Sequence, residues 1–199
     1  MPALILFIKN PIPGQTKTRL AAEVGNEMAL KMYHVLTDWT RQQALGLANA
    51  ERYLYYSSEI TVGDKWPETD FHKRLQHGPG LGERMENAFA EVFAAGHHRA
   101  IIIGSDCPGI TTAYLETAFA ALQDHDLVIG PALDGGYTLL GLRQPAPELF
   151  KNMAWSTTEV LPTTLARAAA AGLSVKQLPP LSDVDYLADW QHYGWPMPE

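Results

Sequence analysis

Residues 100–108, Ala-Ile-Ile-Ile-Gly-Ser-Asp-Cys-Pro, constrain the fold more than any other stretch of the chain. Their apolar residues follow one another without alternation, the pattern of a strand covered on both faces. Pro108 lacks the N–H that a sheet ladder needs, so the strand ends before it. Asp106 therefore falls at the carboxyl end of a central parallel strand, where open α/β sheets hold their ligands. On spacing alone two roles are open to it. It can hold a divalent cation beneath a phosphate, or it can cap a helix starting near Thr111.

The remaining chain alternates between strands and helices. Residues 3–8 read as a second buried strand, too short to span a bilayer and without the basic flank of a signal segment. A helix is predicted over 26–47, with Met28, Met32, Val35, Leu36 and Trp39 at helical spacing as its core stripe. A strand over 51–57, a loop with room for a short helix over 60–71 and a weak strand over 72–76 come next. The following helix carries Leu81, Met85, Ala88, Phe89, Val92 and Phe93 as its apolar stripe. His97 and His98 read as polar residues at its end rather than as metal ligands. Beyond 100–108 the pattern predicts a helix over 112–123, strands over 126–131 and 138–142, and a short helix over 147–151. Ser156 and Glu159 match a capping box, which predicts a helix over 156–171 closed by Gly172. A last strand over 174–178 is broken by Pro179 and Pro180, and a helix through Trp190 follows. Such alternation implies an α/β fold with helices on both faces of a mainly parallel sheet. A hairpin at Asp134 adds one antiparallel strand, so the sheet is expected to be mixed.

The length of 199 residues suits one domain spanning 1–199. The net charge of −7 argues against a nucleic-acid binder but leaves room for a nucleotide, which needs only local cations. The single cysteine, Cys107, excludes a disulfide framework and a multi-cysteine zinc site. It fits a cytoplasmic protein and reads as a small buried side chain. No segment points to a membrane. The aromatic, proline-rich tail over 194–198 is expected to lie on the surface or on a partner chain, which makes a homodimer one expectation.

Four further clusters carry chemistry. In the loop over 9–20, two prolines and a glycine surround Lys17 and Arg19, with Thr16 and Thr18 beside them. The loop either cradles phosphate or is a solvated turn, and its spacing is neither a P-loop nor a dinucleotide fingerprint. Gly78, Gly80 and Gly82 precede a helix and Arg84, which suits either close approach of a ligand or a flexible turn. Asp134-Gly135-Gly136 is an acidic turn that either faces a ligand or forms a tight hairpin. Asp183 and Asp185 point the same way in extended backbone, so they can share one cation, or one of them can cap the last helix.

Taken together, these motifs resemble a known family. They are Lys9-Asn10-Pro11-x-Pro13-Gly14-x-x-Lys17-Thr18-Arg19-Leu20, Gly82-Glu83-Arg84-Met85, Gly104-Ser105-Asp106-Cys107-Pro108, Gly130-Pro131-Ala132-x-Asp134-Gly135-Gly136-Tyr137, Trp155-Ser156-Thr157 and Asp183-Val184-Asp185. The chain resembles the GT-A-like transferases called radical-SAM/selenodomain-associated transferase 1, also labelled arsenosugar-biosynthesis glycosyltransferases. These are distant relatives of the molybdenum cofactor guanylyltransferases and the phospholactate guanylyltransferases. The resemblance runs through nearly the whole chain in order. It implies a three-layer α/β/α Rossmann-like GT-A fold, that of the nucleotide-diphospho-sugar transferases. It also implies Lys9, Pro13, Gly14, Lys17, Arg19, Gly82, Arg84 and Ser105 as nucleotide-binding residues, and Asp106 with Asp183 and Asp185 at a metal. Asp134, Gly135, Gly136, Tyr137 and Trp155 would face the sugar or acceptor. This chain departs from the pattern at Gly80 and Gly109, where acidic residues are expected, which touches contacts to sugar or base rather than the metal site.

The chemistry follows from the residue types. Mg²⁺ or Mn²⁺ bridging diphosphate oxygens would neutralise the charge that develops as the leaving group departs. Lys17 and Arg19 would add fixed cations, and Asp134 would serve as general base if one is needed. The expected function is metal-dependent transfer from a nucleotide-activated donor, foremost glycosyl transfer from a nucleotide-diphospho-sugar to a small-molecule acceptor. Nucleotidyl transfer from a triphosphate with release of pyrophosphate is the alternative, and a non-catalytic nucleotide-binding module a lesser one.

Overall fold

The computed structural model describes residues 1–199. Seven strands form one sheet: β1 (Ala3–Ile8), β2 (Glu51–Tyr56), β3 (His72–Leu75), β4 (Ala100–Ile103), β5 (Leu127–Pro131), β6 (Tyr137–Leu142) and β7 (Val175–Gln177). Their spatial order is β3-β2-β1-β4-β6-β5-β7. β6 runs antiparallel to both β4 and β5, and every other pairing is parallel. The mixed, mainly parallel sheet and its single hairpin are as the sequence pattern requires.

Six helices complete the fold: α1 (Thr18–Val24), α2 (Asn26–Gly46), α3 (Leu81–Ala94), α4 (Thr112–Ala121), α5 (Val160–Ala170) and α6 (Leu187–His192). Alternate residues of β1 enter opposite cores, because successive side chains of a strand point to opposite faces. Leu4, Leu6 and Ile8 pack with Ile101, Ile103 and the α4 residues Leu115, Ala118 and Phe119. Ala3 and Ile5 pack with Ile102, Leu140 and the α3 residues Met85, Ala88, Phe89 and Val92. These two layers make the three-layer α/β/α architecture. A third cluster joins Leu20, Met32 and Leu36 to Val184 and Trp190, tying α1 and α2 to α6. No helix is long and apolar enough to cross a membrane.

Several expectations give way. The loop after β1 becomes helix α1 two residues before Leu20, because Leu20 has a core to enter beside Val184. Val35 stays exposed, since the buried face of α2 runs instead through Ala29, Met32, Tyr33, Leu36 and Thr40. The capping box at Ser156 does not form. Ser156 adopts a left-handed backbone with φ 62°, and α5 starts only at Val160. Thr157 takes over the local turn, its Oγ1 accepting from Glu159 N at 3.3 Å and donating to Ala154 O at 2.7 Å. The loop before β3 carries no helix and is anchored by the edge-to-face pair Trp66–Phe71 at 4.9 Å. The short helix near 147 is a single 3₁₀ turn, Pro147–Leu149. His97 is buried and bridges Tyr53 Oη at 2.9 Å to the Met1 carbonyl at 2.8 Å.

The C-terminal tail packs on its own chain. Trp195 stands edge-on to Trp190 at 5.2 Å and to Trp39 at 5.5 Å, and its carbonyl accepts from Trp190 Nε1 at 3.0 Å. Trp195→Ala should therefore lower unfolding free energy by about 1–2 kcal/mol, the scale of a half-buried aromatic cluster. Urea melts at two protein concentrations would check it, with equal losses expected at both.

Candidate functional site

The carboxyl ends of β1 and β4 open into a cleft of about 580 Å³. Its lining includes Lys9, Lys17, Arg19, Ser105, Asp106, Asp134, Gly136, Tyr137, Trp155, Asp183 and Asp185. Residues from six separate segments thus meet at the sheet edge that the β4 stretch marks out.

Lys17 is the centre of the charged end. It is a non-glycine residue in the left-handed region, φ 53° and ψ 49°, at the first turn of α1. That conformation accompanies an inward side chain, only 6% exposed. Its Nζ donates to Asp106 Oδ2 at 2.9 Å and to Asp185 Oδ1 at 3.3 Å. Arg19 Nη1 donates to Asp185 Oδ2 at 2.7 Å, with its side chain 62% exposed at the cleft mouth. Lys9 lines the cleft and forms no ion pair with the protein. Burial opposes the charge on Lys17, but Asp106 and the neighbouring carboxylates outweigh it and hold its pKa above the usual lysine value. Enclosure pushes Asp106 upward, and the Lys17 ammonium overrides this to hold its carboxyl below the usual range.

The alternatives left open by spacing resolve here. Thr111, not Asp106, caps α4, its Oγ1 accepting from Tyr114 N at 3.2 Å. Neither Asp183 nor Asp185 caps α6. Asp189 Oδ2 accepts from the backbone N of Asp185 and Tyr186 at 2.9 and 2.8 Å. Asp134 serves both the turn and the cleft: Oδ1 accepts from Gly136 N at 3.0 Å and Oδ2 accepts no hydrogen bond.

Five expected residues do not line the cleft: Pro13, Gly14, Gly82, Arg84 and Gly135. Gly82 seats Trp155, for a Cβ there would lie 2.4 Å from the indole Nε1. Gly135 has φ 94° and stands where a Cβ would meet the Thr158 backbone at 2.6 Å. Arg84 turns back on its own loop, Nε donating to Gly78 O at 3.1 Å. Pro13 and Gly14 shape the loop that delivers Lys17. Cys107 is buried, with its thiol pushed up to about 12 by burial and by Asp183, so it is unreactive.

Sequence reasoning missed three residues that build the site. Tyr33 accepts from Lys9 N and donates to Lys9 O, both at 2.9 Å, and lies 3.3 Å from Ser105 Oγ. Gln76 donates to the Ile8 and Tyr55 carbonyls at 3.2 and 3.0 Å, closing the cleft floor. Asn10 Oδ1 accepts from Ser58 N at 3.0 Å and its Nδ2 donates to Glu59 O at 2.9 Å, which fixes the start of the loop. The available signal was a tyrosine on the buried face of α2, because a buried hydroxyl requires a partner.

The donor set fits a hard divalent cation. The Asp183 carboxylate accepts no hydrogen bond, and burial together with Asp106 pushes its pKa up to about 8. It lacks a cation of its own beside two other carboxylates. No three acidic, histidine or cysteine side chains are grouped to hold an ion alone. Mg²⁺ commonly binds through one or two carboxylates completed by phosphate oxygens and water, which Asp106 and Asp183 or Asp185 would supply here.

Two outcomes follow from this geometry. Lys17→Met should destabilise the metal-free protein by about 3 kcal/mol, the low end for breaking a buried pair. The low end applies because Asp106 and Asp185 are 38% and 37% exposed. Added Mg²⁺ should restore part of the loss in a thermal melt. Gly82→Ala should displace Trp155, altering near-ultraviolet circular dichroism at a cost of about 1–3 kcal/mol.

The fold has relatives among known proteins. A candidate nucleotide-diphospho-sugar transferase of Desulfovibrio desulfuricans G20 shares 33% identity and superposes with a TM-score of 0.86, over 96% of this chain and 85% of that one. Rv0371c of Mycobacterium tuberculosis H37Rv matches at 12% identity and a TM-score of 0.61, over 97% of both chains. A cytidylyltransferase of Leptospira borgpetersenii serovar Hardjo-bovis (strain JB197) matches at 11% and 0.59, over 96% of this chain and 84% of that one. The last two likenesses show a common fold. No curated protein matches the chain. Residues 20–157 match the family described as "Uncharacterized protein conserved in bacteria (DUF2064)", and the chain belongs to that family.

Proposed function

We propose that this protein is a metal-dependent transferase acting on a nucleotide-activated donor, and that the reaction is glycosyl transfer from a nucleotide-diphospho-sugar. The observation that carries the reading is the junction of Lys17, Asp106, Asp185 and Arg19 at the mouth of a large cleft. The 33% identical D. desulfuricans protein, a candidate nucleotide-diphospho-sugar transferase, supports the donor class.

In this reading Lys9 and Arg19 contact the donor's phosphates from the β1 side of the cleft. Arg19 offers a planar fork suited to two phosphate oxygens. Asp106 with Asp183 or Asp185 would hold Mg²⁺ or Mn²⁺, which when bound neutralises the charge of a departing diphosphate. Lys17 keeps Asp106 ionised for that task. Asp134 Oδ2 is unengaged and can take the proton of an acceptor hydroxyl. The hydroxyl oxygen then forms the new bond to the anomeric carbon as the carbon–oxygen bond to the diphosphate breaks. The electron pair leaves with the nucleoside diphosphate.

Asp106→Asn should lower metal-dependent turnover by about a hundredfold or more while the melting curve stays cooperative. Release of nucleoside diphosphate from a panel of nucleotide sugars, set against release of pyrophosphate from triphosphates, separates the two transfer chemistries. Pyrophosphate release alone would replace glycosyl by nucleotidyl transfer. Unchanged turnover in Asp106→Asn or in excess chelator would remove the metal from the mechanism.

A further inference from the structure

We propose that the far end of the cleft takes an uncharged, hydroxyl-bearing acceptor with one nonpolar face, and that it rejects phosphorylated acceptors. This rests on the reading of the charged end as the site of the nucleotide diphosphate. The cleft is divided by charge. Its three cations, Lys9, Lys17 and Arg19, belong to one cluster. Lys17 and Arg19 pair with Asp106 and Asp185, and the charge of Lys9 bears on Asp106.

The opposite wall is built from Leu81, Met85, Tyr137, Trp155 and Val160. Leu81 is 45% exposed, an apolar side chain left open at the cleft. Trp155 lies against Gly82 and meets Tyr137 at 6.4 Å, edge to face. Its indole Nε1 is the ring atom nearest Gly82, so the N–H edge is seated against α3. Ser156 lines the same wall and adds a neutral hydroxyl. A flat aromatic face with neutral polar groups beside it suits the C–H face of a ring that carries hydroxyls.

Anion sites are missing from this wall for identifiable reasons. Helix N-termini attract anions. At α3, however, Glu83 folds back so that its Oε2 lies 2.8 Å from where a Cβ on Gly80 would stand. At α5 the N-cap residue is itself an acid, Glu159. Arg167 lies near Tyr137, but its guanidinium is bound to the carbonyls of Glu148, Leu149, Lys151 and Asn152. A phosphate entering here would lose its hydration and find Asp134 in the lining instead of a cation.

The test follows the Trp155 indole N–H resonance, identified with Trp155→Phe, in protein loaded with Mg²⁺ and nucleoside diphosphate. The probes are 4-nitrophenyl glucoside and its 6-phosphate. The neutral probe should shift the resonance in a saturable way, and the phosphorylated one should bind about tenfold more weakly or worse. Leu81→Lys should reverse the ranking by placing a cation on the wall. Equal or tighter binding of the phosphorylated probe to the unmodified protein overturns the proposal, as does a resonance that neither probe moves. Thermal stabilisation by the nucleoside diphosphate, read in the same samples, tests the donor reading separately. If it persists while the neutral probe fails, the failure is of the acceptor assignment alone. If it is absent, the donor reading fails.

Discussion

The site depends on one buried ammonium. Lys17 Nζ stands between Asp106, at the end of the central strand, and Asp185, in the segment before the last helix. Removing a charged amine from water is unfavourable unless opposite charges replace the lost hydration. Those charges are supplied by two segments far apart in the chain. The left-handed backbone of Lys17, the turn into α1 and the packing of Leu20 on Val184 all serve to bring this amine inward. Val184 N in turn donates to Asp106 O at 2.9 Å, so backbone and side chains lock the same junction.

The fold was largely legible because strands buried on both faces leave continuous apolar runs. Residues 3–8, 100–103 and 127–131 announce themselves this way, and the Asp134 turn marks the antiparallel hairpin. Local rules failed where tertiary contacts overrode them. Ser156 and Glu159 satisfy a capping pattern, yet the seat that Gly82 offers Trp155 draws the segment across the cleft and delays α5. Val35 has helical spacing, but the stripe that enters the core is rotated toward Tyr33.

The candidate site was legible in its charges and illegible in its supports. Lys17, Arg19, Asp106, Asp134, Asp183 and Asp185 are conspicuous because isolated charges beside apolar runs and turns stand out. Tyr33, Gln76 and Asn10 act through hydrogen bonds to backbone carbonyls and amides, partners that a sequence does not display. The glycines divide likewise. Gly82 and Gly135 are required by what packs on them from elsewhere in the chain, and nothing in their own neighbourhood says whether that is a ligand or a side chain.

The junction also has a consequence for the order in which the protein matures. Lys17 and Asp185 are 168 positions apart in the chain. A ribosome making the protein completes β1, the loop and β4 long before it reaches the residues that finish the charged cluster. Until then Lys17 has only Asp106 for a partner, and the core beneath α1 lacks Val184 and Trp190. The nascent chain thus carries most of the sheet with an unfinished charged cluster. The charged cluster is complete only when residues 183–190 fold back onto residues far earlier in the chain.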